Sequence, residues 1–279
     1  MVKIGKRNCL EVSRNVDFGV YLTDGVSEIL LPRRYVSRPF APGDKLEVFI
    51  YNDSEDRLVA TTETPFAEVG EFAFLRVASV NRIGAFLDWG LQKDLLVPFR
   101  EQKATMRAGG IYPVFVYLDD ASKRIVASAR VEKFLGNVMP EYKKGDKVNV
   151  LVWRETPTGY SCMVDNLHPG MLYSNEVFRP LAPGDRTEAW VMKVRDDGKI
   201  DLRLSPLASG RKRTESIAED IVDRMKRNRG LLDVDESAAP EDIRAVFMCS
   251  KRDFKQAIGH LLRDGRVCKS DAGISLNNF

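Results

Sequence analysis

The sequence predicts a multidomain, mainly β protein in which three tandem five-stranded barrels are followed by an α+β winged-helix domain. Three observations lead to this fold class. A set of strand and turn signals occurs three times in residues 1–206, each copy has room for five short strands, and hydrophobic spacing becomes helical after Thr214. A chain of 279 residues, 44% of them hydrophobic, can bury several cores of this size. We therefore expect several small domains.

The first repeated signal is a glycine inside a strand, because a strongly bent strand needs a residue without a Cβ atom. It occurs in three segments that align with one another, Phe18–Leu22, Ile83–Leu87 and Thr158–Cys162. A short apolar return strand follows each glycine, at residues 29–32, 95–98 and 170–173. Each copy is therefore predicted to contain a hairpin around its glycine.

The second repeated signal is a turn that leads into an alternating strand about 25 residues after each glycine. Pro42–Tyr51 matches Pro183–Met192 in this respect, and Gly109–Tyr117 takes the same place in the middle copy. A polar hairpin and a closing strand come next in each copy. Five short strands per roughly 65 residues, with a longer connection between the third and fourth, is the plan of an OB-fold barrel.

Shifts in composition at residues 64–70, 136–145 and 205–213 indicate joining segments. We therefore predict OB-fold barrels at residues 1–65, 66–138 and 139–208, and a winged-helix domain at residues 209–279.

The C-terminal region carries the start and stop signals of three helices. The first helix ends near Asn228, Pro240 begins the second, and Ser250 caps the third through a Ser-x-x-Asp box. Two short strands follow at residues 266–268 and 273–276. Three helices and a small hairpin are typical of a winged helix.

Charge and cysteine use narrow the class of protein. The 43 Lys and Arg against 40 Asp and Glu leave a net charge of +3, which fits nucleic-acid binding without demonstrating it. No segment has the apolar run of a signal peptide or a membrane span, so a soluble, cytoplasmic protein is expected. The four cysteines are widely spaced and only two histidines accompany them, so no zinc site is expected.

Three segments resemble the conserved virulence factor B family of bacteria: residues 84–98 (GAFLDWGLQKDLLVP), 175–177 (NEV) and 248–255 (MCSKRDFK). The resemblance implies tandem S1-type RNA-binding OB domains with a C-terminal winged helix. It also implies RNA binding in the cytoplasm, a part in post-transcriptional control, and no catalytic activity. S1-type domains typically carry two exposed aromatic residues about the strand glycine and a histidine near the return strand, and that histidine is absent from all three copies.

Exposed aromatic side chains can stack on unpaired bases, and arginines can contact phosphates. On this basis we predict single-stranded RNA binding by Phe18, Tyr21, Arg33, Arg34, Tyr35, Arg82, Phe86, Arg100, Tyr160 and Tyr173. Ordinary packing in or between barrels is the alternative for the aromatic residues. The third copy has Thr158 and Ser161 in the two aromatic positions, so its RNA binding has the least support.

The third helix of the winged-helix domain has a basic outer surface. Five side chains there are predicted to contact nucleic acid, Lys251, Arg252, Lys255, Gln256 and Arg263. A solvated surface, or a helix docked on another domain, is an equal alternative. The second hypothesis for the whole chain is a DNA-binding transcription regulator. It would act through this domain, and the barrels would be a platform for a protein or a ligand.

The third hypothesis is a hydrolase that processes RNA, suggested by the paired acids Asp119-Asp120 and Asp196-Asp197. Both pairs fall at the same hairpin of their repeats, where turns favour Asp for backbone reasons. His168 is expected in a loop, and no Ser/His/Asp or Cys/His set is indicated. The sequence therefore predicts a binding protein without enzymatic activity, cofactor or metal.

Overall fold

The protein is described from a computed structural model, which covers residues 2–177, 180–204, 210–270 and 273–277. The chain divides into two compact units, residues 1–137 and 138–279. The first unit contains two β-barrels, and the second contains a third barrel and a helical domain. The predicted fold class is confirmed. Within the described residues, no helix combines the length and the apolar character needed to cross a membrane.

Barrel 1 closes in the strand order β1-β2-β3-β5-β4, with β3 and β5 parallel and all other neighbours antiparallel. This is the order of an OB-fold. Its strands are β1 (Arg7–Val16), β2 (Gly19–Thr23), β3 (Glu28–Pro32), β4 (Lys45–Asn52) and β5 (Leu58–Thr61). A short 3-10 helix, Arg33–Tyr35, follows β3.

Barrel 2 repeats the plan in the order β10-β9-β6-β7-β8, and its two end strands lie side by side so that the barrel is nearly closed. Its strands are β6 (Phe72–Asn81), β7 (Gly84–Asp88), β8 (Leu95–Pro98), β9 (Ile111–Leu118) and β10 (Ile125–Ser128). Short 3-10 helices at Phe99–Glu101 and Val131–Phe134 follow β8 and β10.

Barrel 3 closes in the order β11-β12-β13-β15-β14. Its strands are β11 (Lys147–Thr156), β12 (Gly159–Val164), β13 (His168–Tyr173), β14 (Arg186–Val194) and β15 (Ile200–Arg203). The expectation of a loop at His168 is wrong, since this residue begins β13 and is only 4% exposed. Its ring packs edge-on against Tyr142, with 5.6 Å between ring centroids, and this apolar contact draws it into the barrel.

The winged-helix domain contains α1 (Gly210–Arg227), α2 (Pro240–Phe247), α3 (Lys251–Arg263), β16 (Val267–Ser270) and β17 (Gly273–Leu276). The predicted cap of the third helix is confirmed, because the Ser250 hydroxyl accepts a hydrogen bond from the Asp253 backbone N–H at 3.1 Å. The domain boundaries at residues 65, 138 and 208 stay predictions. The last of them, and part of the turn between β16 and β17, lie outside the described residues.

The strand glycine has the same structural reason in all three barrels. A Cβ atom at Gly19, Gly84 or Gly159 would lie 2.2, 2.2 or 2.1 Å from a backbone carbonyl oxygen of the return strand, that of Leu31, Val97 or Leu172 respectively. No side chain fits at that distance. The first strand of each barrel also carries a bulge, after Val12, Val77 and Val152.

Each bulge is tied to the turn that precedes the fourth strand. The backbone N–H groups of Gly43, Gly109 and Gly184 donate to the carbonyl groups of Val12, Val77 and Val152 at 2.8–2.9 Å. In barrels 1 and 3 the aspartate after this glycine also fixes the turn, since its carboxylate accepts from the backbone N–H three residues earlier. The turn that the sequence signals therefore holds the bulge of the first strand in each barrel.

Barrel 1 has a core of its own, and the buried cluster of barrel 2 extends across to it. Phe49 and Tyr51 of β4 pack in the same buried cluster as Trp89 and Leu87, with Phe49 and Trp89 centroids 5.8 Å apart. The Lys93 ammonium donates to the carbonyl groups that end β4 in barrel 1, at 3.0 and 2.6 Å. The first two barrels are therefore held together by apolar packing and by hydrogen bonds from a lysine side chain of barrel 2 to the main chain of barrel 1.

Candidate nucleic-acid interface

The outer surface of barrel 1 carries two aromatic rings beside the strand glycine. Phe18 lies in the turn between β1 and β2 and is 58% exposed, and Tyr21 lies on β2 and is half-buried. Their ring centroids are 6.4 Å apart in an edge-to-face arrangement. Both rings line an open groove of about 650 Å³ together with Pro32 and Arg34. Strand alternation explains the outward direction of Tyr21, because its neighbours Val20 and Leu22 are buried.

An arginine covers part of this aromatic pair. The Arg14 guanidinium lies 4.2 Å from the centroid of the Tyr21 ring, within the range of a cation–π contact. The same guanidinium binds the Glu28 carboxylate at 2.8 Å. This bond and one from the Ser13 hydroxyl lower the pKa of Glu28 to about 2. Arg14 therefore occupies one side of Tyr21 and leaves Phe18 as the more accessible ring.

The three predicted contacts after β3 behave differently from one another. Arg33 is exposed and donates to the Asp17 carbonyl at 3.0 Å, whereas Arg34 is exposed and lines the groove. Tyr35 is only 7% exposed and packs in the core of barrel 1. Its ring is not available to a ligand, so the prediction for Tyr35 is wrong. The reason is local, since the single 3-10 turn directs its last side chain inward.

Barrel 2 presents a related surface with different residues. Phe86 is partly exposed and lies opposite Ser79 in the strand register, so no arginine occupies the position that Arg14 has in barrel 1. Ile83 takes the place of Phe18 and is 51% exposed. The predicted Arg82 and Arg100 are both exposed. Arg100 lies 3.7 Å from Asp119.

Sequence reasoning missed Phe99, which is exposed directly after the return strand of barrel 2. It also missed a pocket of about 120 Å³ where barrel 1 meets barrel 2 beside Phe86, which we call the junction pocket. Lys93, Asp94 and Arg124 supply its charged groups. Burial lowers the pKa of Lys93 and raises that of Asp94. Pro98 before Phe99 was the one signal for its exposure, because the chain leaves the strand there.

The tyrosines predicted in barrel 3 have partners within the barrel. Tyr160 is half-buried and packs against the barrel core. The Tyr173 hydroxyl donates to the Asp201 carboxylate at 3.3 Å and accepts a hydrogen bond from Arg195. Arg195 also binds Asp201 at 2.6 Å, which raises the pKa of this arginine. Both tyrosines remain predicted RNA contacts. Within the barrel, the Tyr160 ring packs against the core and the Tyr173 hydroxyl is hydrogen-bonded.

Four of the predicted side chains on α3 are exposed, Arg252, Lys255, Gln256 and Arg263. Lys251 differs, because its ammonium donates to the Ala238 carbonyl at 2.8 Å and so fastens the loop before α2 to α3. Another arginine joins this domain to barrel 3. Arg213 on α1 binds Asp253 on α3 at 3.0 Å and lies 3.9 Å from Glu176 of barrel 3.

One acid of each pair stabilises its turn, as the sequence predicts. The Asp119 carboxylate accepts from the Ser122 N–H and hydroxyl, which lowers its pKa. The Asp197 carboxylate accepts from the Lys199 ammonium and N–H. Within the part of the chain that the structure describes, no group of three or more His, Cys, Asp or Glu residues could hold a metal ion.

Comparison with known proteins agrees with this architecture. Residues 4–63 and 69–130 match the S1 domain, and residues 219–276 match the CvfB-like winged helix domain. S1 domains are nucleic-acid-binding domains. Neither the S1 domain nor the CvfB-like winged helix domain is an enzyme family. The chain is thus a tandem S1-domain protein with a C-terminal winged helix.

The similar proteins define the family more closely. The uncharacterized protein YitL of Bacillus subtilis is 28% identical over 272 residues, which cover 94% of this chain and 90% of that protein. Conserved virulence factor B of Staphylococcus haemolyticus is 25% identical over 241 residues, covering 84% and 80%. With these S1 domains and this winged helix, the chain belongs to the conserved virulence factor B family.

One solved structure that matches this chain is described as a multidomain protein with nucleic acid binding domains, from Streptococcus pneumoniae. It is 21% identical, the match covers 98% of each chain, and the TM-score is 0.40.

Proposed function

We propose that this protein binds single-stranded RNA on the exposed surfaces of its barrels and acts, without catalysis, in post-transcriptional gene regulation in the cytoplasm. The observation that carries the proposal is the exposed Phe18 ring, which lies beside Tyr21 on an open groove and next to the strand glycine. A small barrel does not need such a ring for its own stability.

Single-stranded RNA fits this surface better than a duplex does. Unpaired bases offer flat faces to aromatic rings, whereas the bases of a duplex are stacked on each other. Each stacked base contributes about 1–3 kcal/mol with little sequence preference. The exposed arginines Arg34, Arg82 and Arg100 supply positive charge for phosphates. Weak sites on linked barrels gain affinity from effective concentration, so no single barrel has to bind tightly.

The test is fluorescence anisotropy with labelled single-stranded RNA and with duplex DNA over a salt series. We expect RNA to bind more tightly than duplex DNA. A Phe18→Ala, Phe86→Ala double variant should lose about tenfold or more in RNA affinity, since it removes two stacking rings. Phe66→Ala is the matched control, because Phe66 is also well exposed but lies outside the proposed surface. RNA affinity that is unchanged in the double variant would refute the proposal.

A second candidate function, regulation of transcription through DNA binding by the winged helix, is favoured by the exposed Arg252, Lys255 and Arg263 on α3. An Arg252→Ala, Lys255→Ala double variant separates the two candidates. If the winged-helix domain is the main DNA-binding surface, this variant loses affinity for duplex DNA and keeps its affinity for RNA. If α3 adds only backbone contacts to a bound RNA, its RNA affinity falls and becomes less dependent on salt.

A further inference from the structure

The junction pocket combines apolar walls with polar groups from both barrels. Ile83, Phe86 and Leu96 of barrel 2 line it on one side, and Tyr51 and Asn52 of barrel 1 on the other. Its volume of about 120 Å³ is roughly ten times the space that one water molecule needs. The pocket is therefore large enough for a small ring system, and Phe86 already belongs to the proposed RNA surface.

The acceptors in this pocket lack donors. The Asp94 carboxylate is half-buried, and among the described residues it has neither a hydrogen-bond donor nor a cation as partner. Burial and the nearby Asp88 raise its pKa, as expected of a carboxylate without a donor. The Asn52 side-chain oxygen is buried and also has no partner. A buried acceptor without a donor costs free energy, so a ligand that brings N–H groups would be stabilised here.

The cations of the pocket, in contrast, are already occupied. The Lys93 ammonium donates to the carbonyl groups of Asn52 and Asp53, and Arg124 is paired with Asp56. A ligand therefore meets unsatisfied acceptors and satisfied donors. This asymmetry favours a flat ligand that is rich in N–H groups and disfavours one whose edge consists mainly of carbonyl oxygens.

We propose that the junction pocket receives one unpaired base of the bound RNA and selects guanine over uracil. The inference rests on the proposed RNA binding and names a preference within it. Guanine offers a ring N–H and an adjacent amino group, which one carboxylate can accept together, and its ring system can stack on Phe86. Uracil offers one N–H between two carbonyl oxygens, and these would face the acceptors of Asp94 and Asn52.

The experiment uses the full chain and two RNA oligonucleotides, one of uridine alone and one with a single guanosine at its centre. We expect the guanosine oligonucleotide to bind about tenfold more tightly to the wild type. Asp94→Asn should abolish this difference and retain the affinity for the all-uridine oligonucleotide, because the amide brings a donor of its own. Asp120→Asn, an equal change of charge at a fully exposed residue of barrel 2, should keep the preference.

The outcomes separate this inference from the proposed function. If wild-type protein binds both oligonucleotides with equal affinity, RNA binding stands and the guanine pocket is refuted. If it binds neither, both proposals are refuted. If Asp94→Asn loses affinity for both oligonucleotides to the same extent, Asp94 has a structural role and the pocket does not select the base.

Discussion

Barrels 1 and 3 have the same backbone and different outer surfaces. Both close in the same strand order and carry a strand glycine pressed against a carbonyl oxygen and a bulge tied to the turn before the fourth strand. At the two positions where barrel 1 has Phe18 and Tyr21, barrel 3 has Thr158 and Ser161. The barrel therefore depends on buried and backbone-determining residues, while a few outward side chains determine what its surface can bind.

One arginine position shows how the surfaces diverge. Arg14 in barrel 1 and Arg154 in barrel 3 occupy the same place in the register, each directly after the bulge. Arg14 lies over Tyr21, whereas Arg154 has Ser161 opposite and lies over the Trp153 ring at 5.0 Å. Because Ser161 offers no aromatic ring, the Arg154 guanidinium packs on Trp153 of its own strand. The two barrels differ at two positions beside this arginine, Tyr21 against Ser161 across the strand and Ser13 against Trp153 before it.

The largest expected effect tests what the two barrels share. Gly159→Ala should lower the free energy of unfolding of barrel 3 by roughly 3 kcal/mol, because its Cβ atom would lie 2.1 Å from the Leu172 carbonyl oxygen. Its φ of +142° is also unfavourable for alanine. Urea denaturation followed by tryptophan fluorescence measures the loss, since Trp153 and Trp190 both lie in barrel 3.

Gly198→Ala is the matched control for this change. Gly198 also has a positive φ, +76°, but the nearest atom to its added Cβ is 3.6 Å away, an ordinary contact. We expect a loss of about 1 kcal/mol from backbone conformation alone. Equal losses in the two variants would show that the close approach to the return strand is not the reason for the strand glycine.

The next effect tests whether the surfaces differ in function. Phe18→Ala should weaken single-stranded RNA binding by about 1–3 kcal/mol, the range for one stacked base. Tyr160→Ala should weaken it less, since Tyr160 packs against the core of barrel 3. Anisotropy titrations of the two variants give the comparison. A greater loss from Tyr160→Ala would place the main stacking surface on barrel 3.

A smaller effect concerns the hydroxyl groups of two tyrosines. Tyr173→Phe should destabilise barrel 3 by about 1 kcal/mol, because it leaves Asp201 and Arg195 without their shared hydroxyl. Tyr21→Phe should leave the stability of barrel 1 nearly unchanged, since Tyr21 acts there through its ring. Thermal denaturation of both variants tests this, and a larger loss in Tyr21→Phe would contradict it.

The smallest expected effect is a pH dependence of the stability of barrel 1. The pKa of Glu28 is lowered from 4.5 to about 2, so its contribution is full above about pH 4.5 and is lost as the pH falls towards 2. Wild type should therefore be slightly more stable than Glu28→Gln above pH 4.5, and the two should converge near pH 2. Amide hydrogen exchange in barrel 1 measures the difference, and a difference independent of pH would contradict the ion pair as its cause.

Much of the fold could be predicted because its signals are local. The strand glycines, the turns before the fourth strands and the Ser250 cap each act within a few residues or between adjacent strands. The error at Tyr35 is also local, since this residue ends the 3-10 turn that follows β3 and its ring packs in the core of barrel 1. The prediction of a loop at His168 was wrong because its packing partner Tyr142 is 26 positions away in the chain.

The candidate site could be predicted only where one strand determines it. Alternation along β2 and β7 indicated the outward positions of Tyr21 and Phe86. The junction pocket could not be found in this way. Asn52 and Asp94 belong to different barrels, and they come together only because two complete barrels pack on each other.

The buried contact between the first two barrels also has an evolutionary consequence. Tandem domains are commonly gained, lost or exchanged one at a time, but exchange requires that each domain close its own apolar surface. Phe49 of barrel 1 and Trp89 of barrel 2 cover each other, so replacing either barrel alone would leave a large ring facing water or a hole in the remaining core. Barrels 1 and 2 are therefore expected to be inherited as a pair.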